Sequence, residues 1–443
     1  MADVTVLGAG GATVTITLTS AENAAAAQLA VNKTNALTAL GIVDVQTQSG
    51  AGTLPAVQQS LAAAIFTGKG FIGTTGDQYV LLGGQGGDAQ VLGGRNANTT
   101  VVIGNNTDMV YSNQSSNAQV FLGKNNAAIA NYEGKVTATT EDGSHLVAAD
   151  SDSTTTVNLG AGGLLNIIDL GEGLGAATVN ALGSGTINAF ASSASVSGVV
   201  NMSLSTGDVA IGLVGMSAVI NPGAARTTII GDVGASATLF GGTGSVTVNG
   251  VAGSFTGGSA GGNQMFSSTV SGSTTLTGGA AVGAPGDSLG ARGANQTLIA
   301  GNGNATLAAV QALGATGGST FNVGTGTSTV FGFEGGGSTV NVGGTGITQV
   351  LGRNGALTGD ANSYNDLGTG SGQVTIHDFT TGLDTLSVKG DFTITFFAID
   401  DAANTTGSEV TLLQVVGGAS YTFFDSTPDG VANISASDVT KIG

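Results

Sequence analysis

Acidic side chains are the residues of this chain whose type and position suggest chemistry. The chain has 28 Asp+Glu against 10 Lys+Arg, a formal net charge of −18, so divalent cations are its natural counterions. Several aspartates stand in glycine-rich, turn-like segments, where carboxylate oxygens and exposed carbonyls together supply the hard oxygen ligands that calcium takes. The candidate calcium ligands are Asp77, Asp88, Asp287, Asp360, Asp366, Asp378 and Asp384, with Asn362 and Asn365 as neutral additions.

The same aspartates have a second interpretation. Asp commonly accepts hydrogen bonds from the backbone of its own turn, and negative charge by itself keeps a protein soluble. The few cations are scattered singly, which excludes a basic stripe for phosphates and argues against nucleic acid or anionic membranes as partners. No run of about 18 uncharged apolar residues is present, so we expect no transmembrane segment.

Enzymatic interpretations find little support in the side chains. The zinc motif H-E-x-x-H needs two histidines four residues apart, but the two histidines are His145 and His377. Cysteine is absent, and a Ser/His/Asp triad would have to use one of these histidines. A polysaccharide-modifying site of carboxylates with Arg226, Arg292 or Arg353 stays open, although 0 Trp and 5 Tyr leave few platforms for sugars. We therefore predict a protein that is not an enzyme.

Internal repeats dominate the sequence from about residue 71. The segment Gly76-Asp77-Gln78-Tyr79-Val80-Leu81 returns eleven residues later as Gly87-Asp88-Ala89-Gln90-Val91-Leu92. The segment STFNVG at positions 319–324 returns as STVNVG at positions 338–343. A Val/Ile-Asn pair recurs at nearly equal intervals, at Val157-Asn158, Val179-Asn180, Val200-Asn201 and Ile220-Asn221.

A period of about 20 residues has a direct geometric meaning for short strands and tight turns. Two strands and two turns complete one coil in that length, and stacked coils pair their backbones in parallel. The fold predicted is an all-β, parallel β-solenoid in which Val157, Val179, Val200 and Ile220 point inward and stack, with asparagine ladders along the axis. A β-sandwich is the competing fold, but it would favour aperiodic strands and more than 5% aromatic residues.

The composition changes along the chain and predicts three parts. Residues 1–70 read as a small α+β N-terminal cap, with a strand over Ala12 to Thr19, a helix from Ala21 to Leu40 and a second helix from Pro55 to about Phe66. Residues 71–354 are the repetitive solenoid, and residues 355–443 form a β-rich C-terminal cap. Caps of this kind cover apolar core and unpaired strand edges.

Two segments resemble the RTX family of calcium-binding repeat proteins. Gly83-Gly84-Gln85-Gly86-Gly87-Asp88-Ala89-Gln90-Val91 is similar to the nonapeptide G-G-x-G-x-D-x-U-x, with one apolar position displaced. The segment from Val374 to Leu386, VTIHDFTTGLDTL, resembles the I-x-D-F-x-x-G-x-D-x-L motif that closes RTX blocks. The resemblance implies a β-roll or β-helix, calcium in the turns and type I secretion from a Gram-negative bacterium by an uncleaved C-terminal signal.

These observations predict a secreted, extracellular or cell-surface protein that self-assembles into a surface layer, a filament or a biofilm-matrix fibre. Its principal partner would be itself, and a surface polysaccharide is a further candidate. An adhesin or carbohydrate-binding module is the first alternative, and a β-helix polysaccharide-modifying enzyme is the second.

Overall fold

The structure is a computed structural model of the full chain, which divides into two compact units. Unit 1 comprises Met1–Arg226 with Gly234–Ser236, and unit 2 comprises Thr227–Val233 with Ala237–Gly443. The residues described are 2–7, 13–18, 28, 32, 44–46, 52–53, 59–65, 69–72, 76–83, 88–92, 95–103, 108–113, 115–124, 126–141, 143–150, 152–169, 176–181, 183–190, 199–232, 234–267, 273–293, 295–310, 318–333, 337–342, 345–351, 361–366, 372–377, 379, 382–399, 408–425, 434 and 436–442.

Short strands make up nearly all of the described part of unit 1. They are β1 (Ala2–Leu7), β2 (Thr13–Leu18), β3 (Asp44–Gln46), β4 (Gly52–Thr53), β5 (Gln59–Ile65), β6 (Lys69–Ile72), β7 (Gly76–Gly83), β8 (Asp88–Leu92), β9 (Arg95–Ile103), β10 (Asp108–Asn113), β11 (Ser115–Leu122), β12 (Ala127–Asn131), β13 (Gly134–Thr139), β14 (Ser144–Ala149), β15 (Ser153–Leu159), β16 (Leu164–Asp169), β17 (Ala176–Ala181), β18 (Gly185–Phe190), β19 (Val199–Leu204), β20 (Asp208–Val214) and β21 (Ser217–Asn221).

Unit 2 is built in the same way. Its strands are β22 (Arg226–Gly231), whose first residue is assigned to unit 1, β23 (Ser236–Leu239), likewise, β24 (Val246–Asn249), β25 (Ala252–Thr256), β26 (Gln264–Ser267), β27 (Thr275–Thr277), β28 (Asp287–Arg292), β29 (Thr297–Ile299), β30 (Ala305–Val310), β31 (Thr320–Asn322), β32 (Ser328–Phe333), β33 (Thr339–Val342), β34 (Ile347–Leu351), β35 (Ser363–Asp366), β36 (Gln373–His377), β37 (Thr385–Val388), β38 (Phe392–Ile399), β39 (Ser408–Val415), β40 (Ser420–Asp425) and β41 (Val439–Lys441).

Strand pairing confirms the predicted parallel β-solenoid. In unit 1 each strand from β3 to β19 pairs in parallel with the strand two positions later, so odd-numbered strands form one sheet and even-numbered strands a second. Unit 2 repeats the pattern, with an even-strand sheet from β22 and an odd-strand sheet from β25. One coil contributes one strand to each sheet. The eleven-residue repeat is therefore half a coil, with Asp77 and Asp88 in different sheets.

Alternation of inward and outward side chains builds the core of each coil. In the odd-strand sheet of unit 2, buried residues stack in one column across seven successive strands: Phe255, Leu276, Leu298, Phe321, Val340, Tyr364 and Leu386. Burying each such side chain contributes about 1.5–3 kcal/mol. Apolar residues at every second position therefore decide which face of each strand points into the core. Helix is confined, among described residues, to Gln28 and Asn32.

The stacking predicted for the Val/Ile-Asn pairs is partly confirmed. Val157, Val179, Val200 and Ile220 are all buried. Val157 lies opposite Val179, and the amide of Asn180 donates to Asn158 Oδ1 at 2.8 Å. The next coil differs, because Val179 lies opposite Met202 while Val200 lies opposite Ala177. The predicted stacking of Val200 on Val179 is therefore wrong by two residues, which is the shift that keeps a side chain on the same face. The predicted stacking of Ile220 on Val200 is also wrong, because Ile220 lies opposite Met202.

The N-terminal segment also differs from prediction. The predicted strand over Ala12 to Thr19 is confirmed as β2, which pairs in antiparallel fashion with β1. The second helix, from Pro55 to about Phe66, is wrong, because Gln59–Ile65 is the strand β5. Alanines in that segment favour a helix locally, but pairing with β3 and β7 in the parallel sheet overrides that preference. Most of the helix predicted from Ala21 to Leu40 lies outside the described residues.

Glycine turns permit the coils to approach closely. A Cβ on Gly279 would lie 1.9 Å from the carbonyl oxygen of Gly257, and a Cβ on Gly324 would lie 1.9 Å from that of Gly301. Residues with side chains cannot occupy such positions without separating the coils. The high glycine content thus follows from backbone contact at the turns as well as from left-handed backbone angles.

Candidate functional site

The predicted calcium ligands of unit 1 lie on two different sheets. Asp77 lies in β7, opposite Gln59 and Asn98, whereas Asp88 lies in β8, opposite Asp108. Parallel register therefore brings Asp88 beside a second aspartate of the next coil, which the sequence pattern had not singled out. Asp360 and Asp378, two of the candidates in unit 2, lie outside the described residues.

Asp287 is buried, 3% exposed, and its carboxylate accepts three hydrogen bonds. Its Oδ1 accepts from the backbone N–H of Asn263 at 3.0 Å and from the Asn263 amide at 2.8 Å. Its Oδ2 accepts from the backbone N–H of Ala280 at 2.9 Å. Asn263 Oδ1 in turn accepts from Val246 N and Gly258 N. We call these two side chains and their donors the Asn263–Asp287 network.

Asp384 lies in a buried polar column at the start of the odd-numbered strands. Its Oδ1 accepts from the backbone N–H of Asn362 at 2.8 Å, and Asn362 Oδ1 accepts from that of Ser338 at 3.2 Å. The hydroxyl of Ser338 accepts from the backbone N–H of Ser319 at 3.2 Å. Each side chain therefore satisfies the backbone of the equivalent residue one coil earlier. Aspartate and asparagine here do what turn residues do, but between coils rather than within one turn.

Sequence reasoning missed the earlier members of this column. Gln296 Oε1 accepts from the backbone N–H of Thr274 at 2.9 Å, and both residues are buried, as are Ser319 and Ser338. The sequence signal for this column is a triplet that occurs once per coil: a polar residue, then Ser or Thr, then a large residue that is buried. It is present in Gln296-Thr297-Leu298, Ser319-Thr320-Phe321, Ser338-Thr339-Val340, Asn362-Ser363-Tyr364 and Asp384-Thr385-Leu386.

Asp366 lies beside an aromatic cluster in the core of unit 2. Phe379 packs against Tyr364, with ring centroids 5.7 Å apart, and edge-on against Phe423 at 5.1 Å. Burial and the nearby Asp366 carboxylate raise the pKa of Tyr421, whose ring stacks near Phe423. The phenylalanine of the RTX-like motif is therefore a core residue that joins the turn before β37 to its neighbours.

A second part of that motif has a structural place as well. Ile376 and Leu386 are buried in β36 and β37, and Gly382 adopts a left-handed φ of 79° in the turn between them. Asn365, proposed as a neutral ligand, donates from its amide to Asn341 Oδ1 at 3.0 Å on the outer surface. Within the described residues no group of three or more His, Asp or Glu side chains is arranged to hold a metal ion. Calcium binding stays a prediction.

Candidate catalytic groups are dispersed. His145 is buried in β14 of unit 1, and His377 lies in β36 of unit 2. Arg226 forms a 3.6 Å ion pair with Asp208, both largely exposed, and Arg292 is an exposed residue of β28. Arg353 lies outside the described residues.

One serine stands in the spacing of a catalytic sequence motif. Gly257-Gly258-Ser259-Ala260-Gly261 matches the G-x-S-x-G spacing of a nucleophile elbow, which requires a strand followed by a helix. Here the segment joins β25 to β26, two strands, so the pattern lacks that structural context. Its glycines serve the Asn263–Asp287 network instead, because a Cβ on Gly257 would lie 2.7 Å from the Asn263 amide.

The even-strand sheet of unit 2 exposes an apolar column on its outer face. Parallel register aligns six apolar or small residues in this column: Ile230, Phe266, Gly290, Ala308, Phe331 and Leu351. The polar residue Asn249 lies in the same column, between Ile230 and Phe266. Ile230 is 57%, Phe266 45% and Phe331 42% exposed. The Phe266 ring lies over Gly290, where a Cβ would come within 2.8 Å of it. We call this set the outer apolar column.

Comparison with protein-family models, with characterised proteins and with solved structures finds no match to this chain. The described residues include no helix that is both long and apolar enough to cross a membrane. The structure itself shows a parallel β-solenoid, and this fold is compatible with an RTX-like repeat protein.

Proposed function

We propose that the protein is a non-enzymatic, extracellular structural protein that self-assembles into a surface layer, filament or matrix fibre. The observation that carries this proposal is the outer apolar column. Large aliphatic and aromatic side chains aligned on an exposed sheet face commonly mark protein–protein contacts. The occupant we propose is a second copy of the same chain.

The shape of the column favours pairing between identical surfaces. Gly290 and Ala308 lie between Phe266 and Phe331, so two small residues separate two large ones along the sheet axis. Two such columns can interdigitate when large residues of one copy fill the small positions of the other. A self-complementary surface of this kind is what a symmetric contact between identical subunits requires.

The negative charge of the subunits gives calcium a role in the proposed assembly. Subunits that each carry a formal charge of −18 repel one another, and divalent cations or salt would reduce that repulsion. The resemblance of residues 374–386 to the RTX motif supports calcium-stabilised coils and export by type I secretion. Burial of Ile376, Phe379 and Leu386 is consistent with that motif building a coil turn.

Sedimentation velocity with and without millimolar calcium tests self-assembly. The double variant Phe266→Ser with Phe331→Ser should sediment as a monomer under conditions in which the unmodified protein forms oligomers. Val282→Ser is the matched control, because Val282 is an 81% exposed apolar residue in a turn outside the column. It should assemble normally. An unmodified protein that stays monomeric at high concentration with calcium, while binding a defined glycan, would instead support the adhesin alternative.

A further inference from the structure

The odd-strand sheet of unit 2 carries a different outer surface, made of two columns of residues that are all short and polar except Ile299. Over six successive strands the first column is Thr275, Thr297, Thr320, Thr339, Ser363 and Thr385. The second column lies two residues further along each strand and consists of Thr277, Ile299, Asn322, Asn341, Asn365 and Ser387. We call the two columns together the hydroxyl–amide face.

The spacing on this face is regular in two directions. Neighbouring strands place equivalent residues about 4.8 Å apart along the axis, and residues i and i+2 of a strand lie roughly 6.6 Å apart across it. The six strands therefore extend the face over roughly 24 Å. Such a surface is matched best by a partner that is itself a regular lattice.

Side chains on the face are held in place before any partner binds. Threonine has few χ1 rotamers because it is branched at Cβ. The Asn341 amide donates to Asn322 Oδ1 at 2.7 Å, and the Asn365 amide donates to Asn341 Oδ1 at 3.0 Å, which fixes the amide planes. A preorganised array loses little conformational entropy when it binds.

The hydroxyl–amide face is uncharged. None of its twelve positions carries an ionisable side chain, although the chain has a formal net charge of −18. A neutral surface on a strongly acidic protein is complementary to an uncharged partner rather than to a cation. The outer face of the even-strand sheet differs in shape, because Phe266 and Phe331 project there on either side of Gly290 and Ala308 and make it uneven.

We propose that the hydroxyl–amide face binds ice. A surface of ice presents uncharged water molecules, each able to donate and to accept hydrogen bonds, in a lattice that is regular in two directions, as this face is. Each serine or threonine hydroxyl both donates and accepts a hydrogen bond, so water ordered by the columns occupies positions near those of the ice lattice. Threonine methyl groups and Ile299 limit the alternative positions of that water. A flexible polymer would need ordering before it matched the array, whereas the crystal does not.

Retention in slowly growing ice, together with thermal hysteresis, tests the proposal on the full-length protein. The test variant is Thr297→Tyr with Thr339→Tyr, which raises bulky side chains above the face while keeping residues that favour strands. The matched control is Thr306→Tyr with Thr329→Tyr, which makes the same change at aligned outward positions of the even-strand sheet. Melting temperatures of both variants should equal that of the unmodified protein.

The unmodified protein and the control should be retained in ice, and the test variant should lose at least tenfold of that retention and its hysteresis. Exclusion of the unmodified protein from ice, like a bulk soluble protein, would overturn the proposal. Equal loss in both variants would do the same. So would a test variant that keeps ice retention but loses binding to crystalline polysaccharide or self-association, since the face would then serve that partner. None of these outcomes depends on whether the outer apolar column mediates assembly.

Discussion

Replacing Asp287 by Asn probes whether this aspartate is a structural acceptor or a calcium ligand. The substitution keeps the size of the side chain and removes its charge. A carboxylate offers two acceptor oxygens, but an amide offers one oxygen and one NH2 donor. In the variant either Asn263 or Ala280 would direct its backbone N–H at another donor inside a buried site.

The magnitude follows from these bonds. A buried donor left without its acceptor costs about 1–3 kcal/mol, and bonds that lose a charged partner weaken by roughly 1 kcal/mol. The free energy of unfolding of unit 2 should therefore fall by about 2–4 kcal/mol. For a unit of about 200 residues this corresponds to a melting temperature lower by roughly 5–15 °C.

Scanning calorimetry in calcium and again in excess chelator measures the effect. The loss should be the same in both, because the donors are protein N–H groups. Asp391→Asn is the control, since it removes the same charge from unit 2 at an exposed carboxylate paired with Lys441 at 2.6 Å, and it should leave the melting temperature nearly unchanged. A loss seen in calcium but absent in chelator would refute the hydrogen-bond reasoning and identify Asp287 as a ligand.

Two further predictions concern the coils and the core. Gly279→Ala should strongly destabilise unit 2, because its Cβ would lie 1.9 Å from a carbonyl oxygen of the neighbouring coil, whereas Gly283→Ala, with φ 82° and open space, should cost only about 1–2 kcal/mol in thermal unfolding. Burial raises the pKa of Tyr421, so the stability from its neutral phenol is complete below about pH 10 and is lost above it by about 1.4 kcal/mol per pH unit. In alkaline melts Tyr421→Phe should flatten that slope and Phe423→Leu should not.

The predictable part of this fold rests on local patterns. Val157 and Val179 stack as expected, and Asn180 bonds to Asn158, because a regular coil length carries each residue onto its equivalent. The same logic placed Val200 on Val179 and was wrong, since Met202 occupies that position. Register depends on the length of chain that each turn uses, and that length varies between coils.

The candidate site shows the same division. The sequence predicted that Asp287 and Asp384 act through their carboxylate oxygens, and both accept hydrogen bonds from neighbouring backbone N–H groups, while calcium binding stays a prediction. Their partners were not, because the donors to Asp287 come from Ala280, 7 residues away, and Asn263, 24 residues away on the preceding coil. The outer apolar column and the hydroxyl–amide face were also missed, since each is an alignment of single residues from separate coils.

The sequence by itself determined that short strands alternate apolar and polar residues, that glycine occupies the turns and that the coils repeat with a nearly constant period. These are properties of neighbours along the chain, set by the two-residue period of a strand and by the backbone angles that glycine permits. Only the tertiary structure decided which residue of one coil lies on which residue of the next. Backbone hydrogen bonds between coils are the same for every residue type, so register is chosen by how all the side chains and turns fit together.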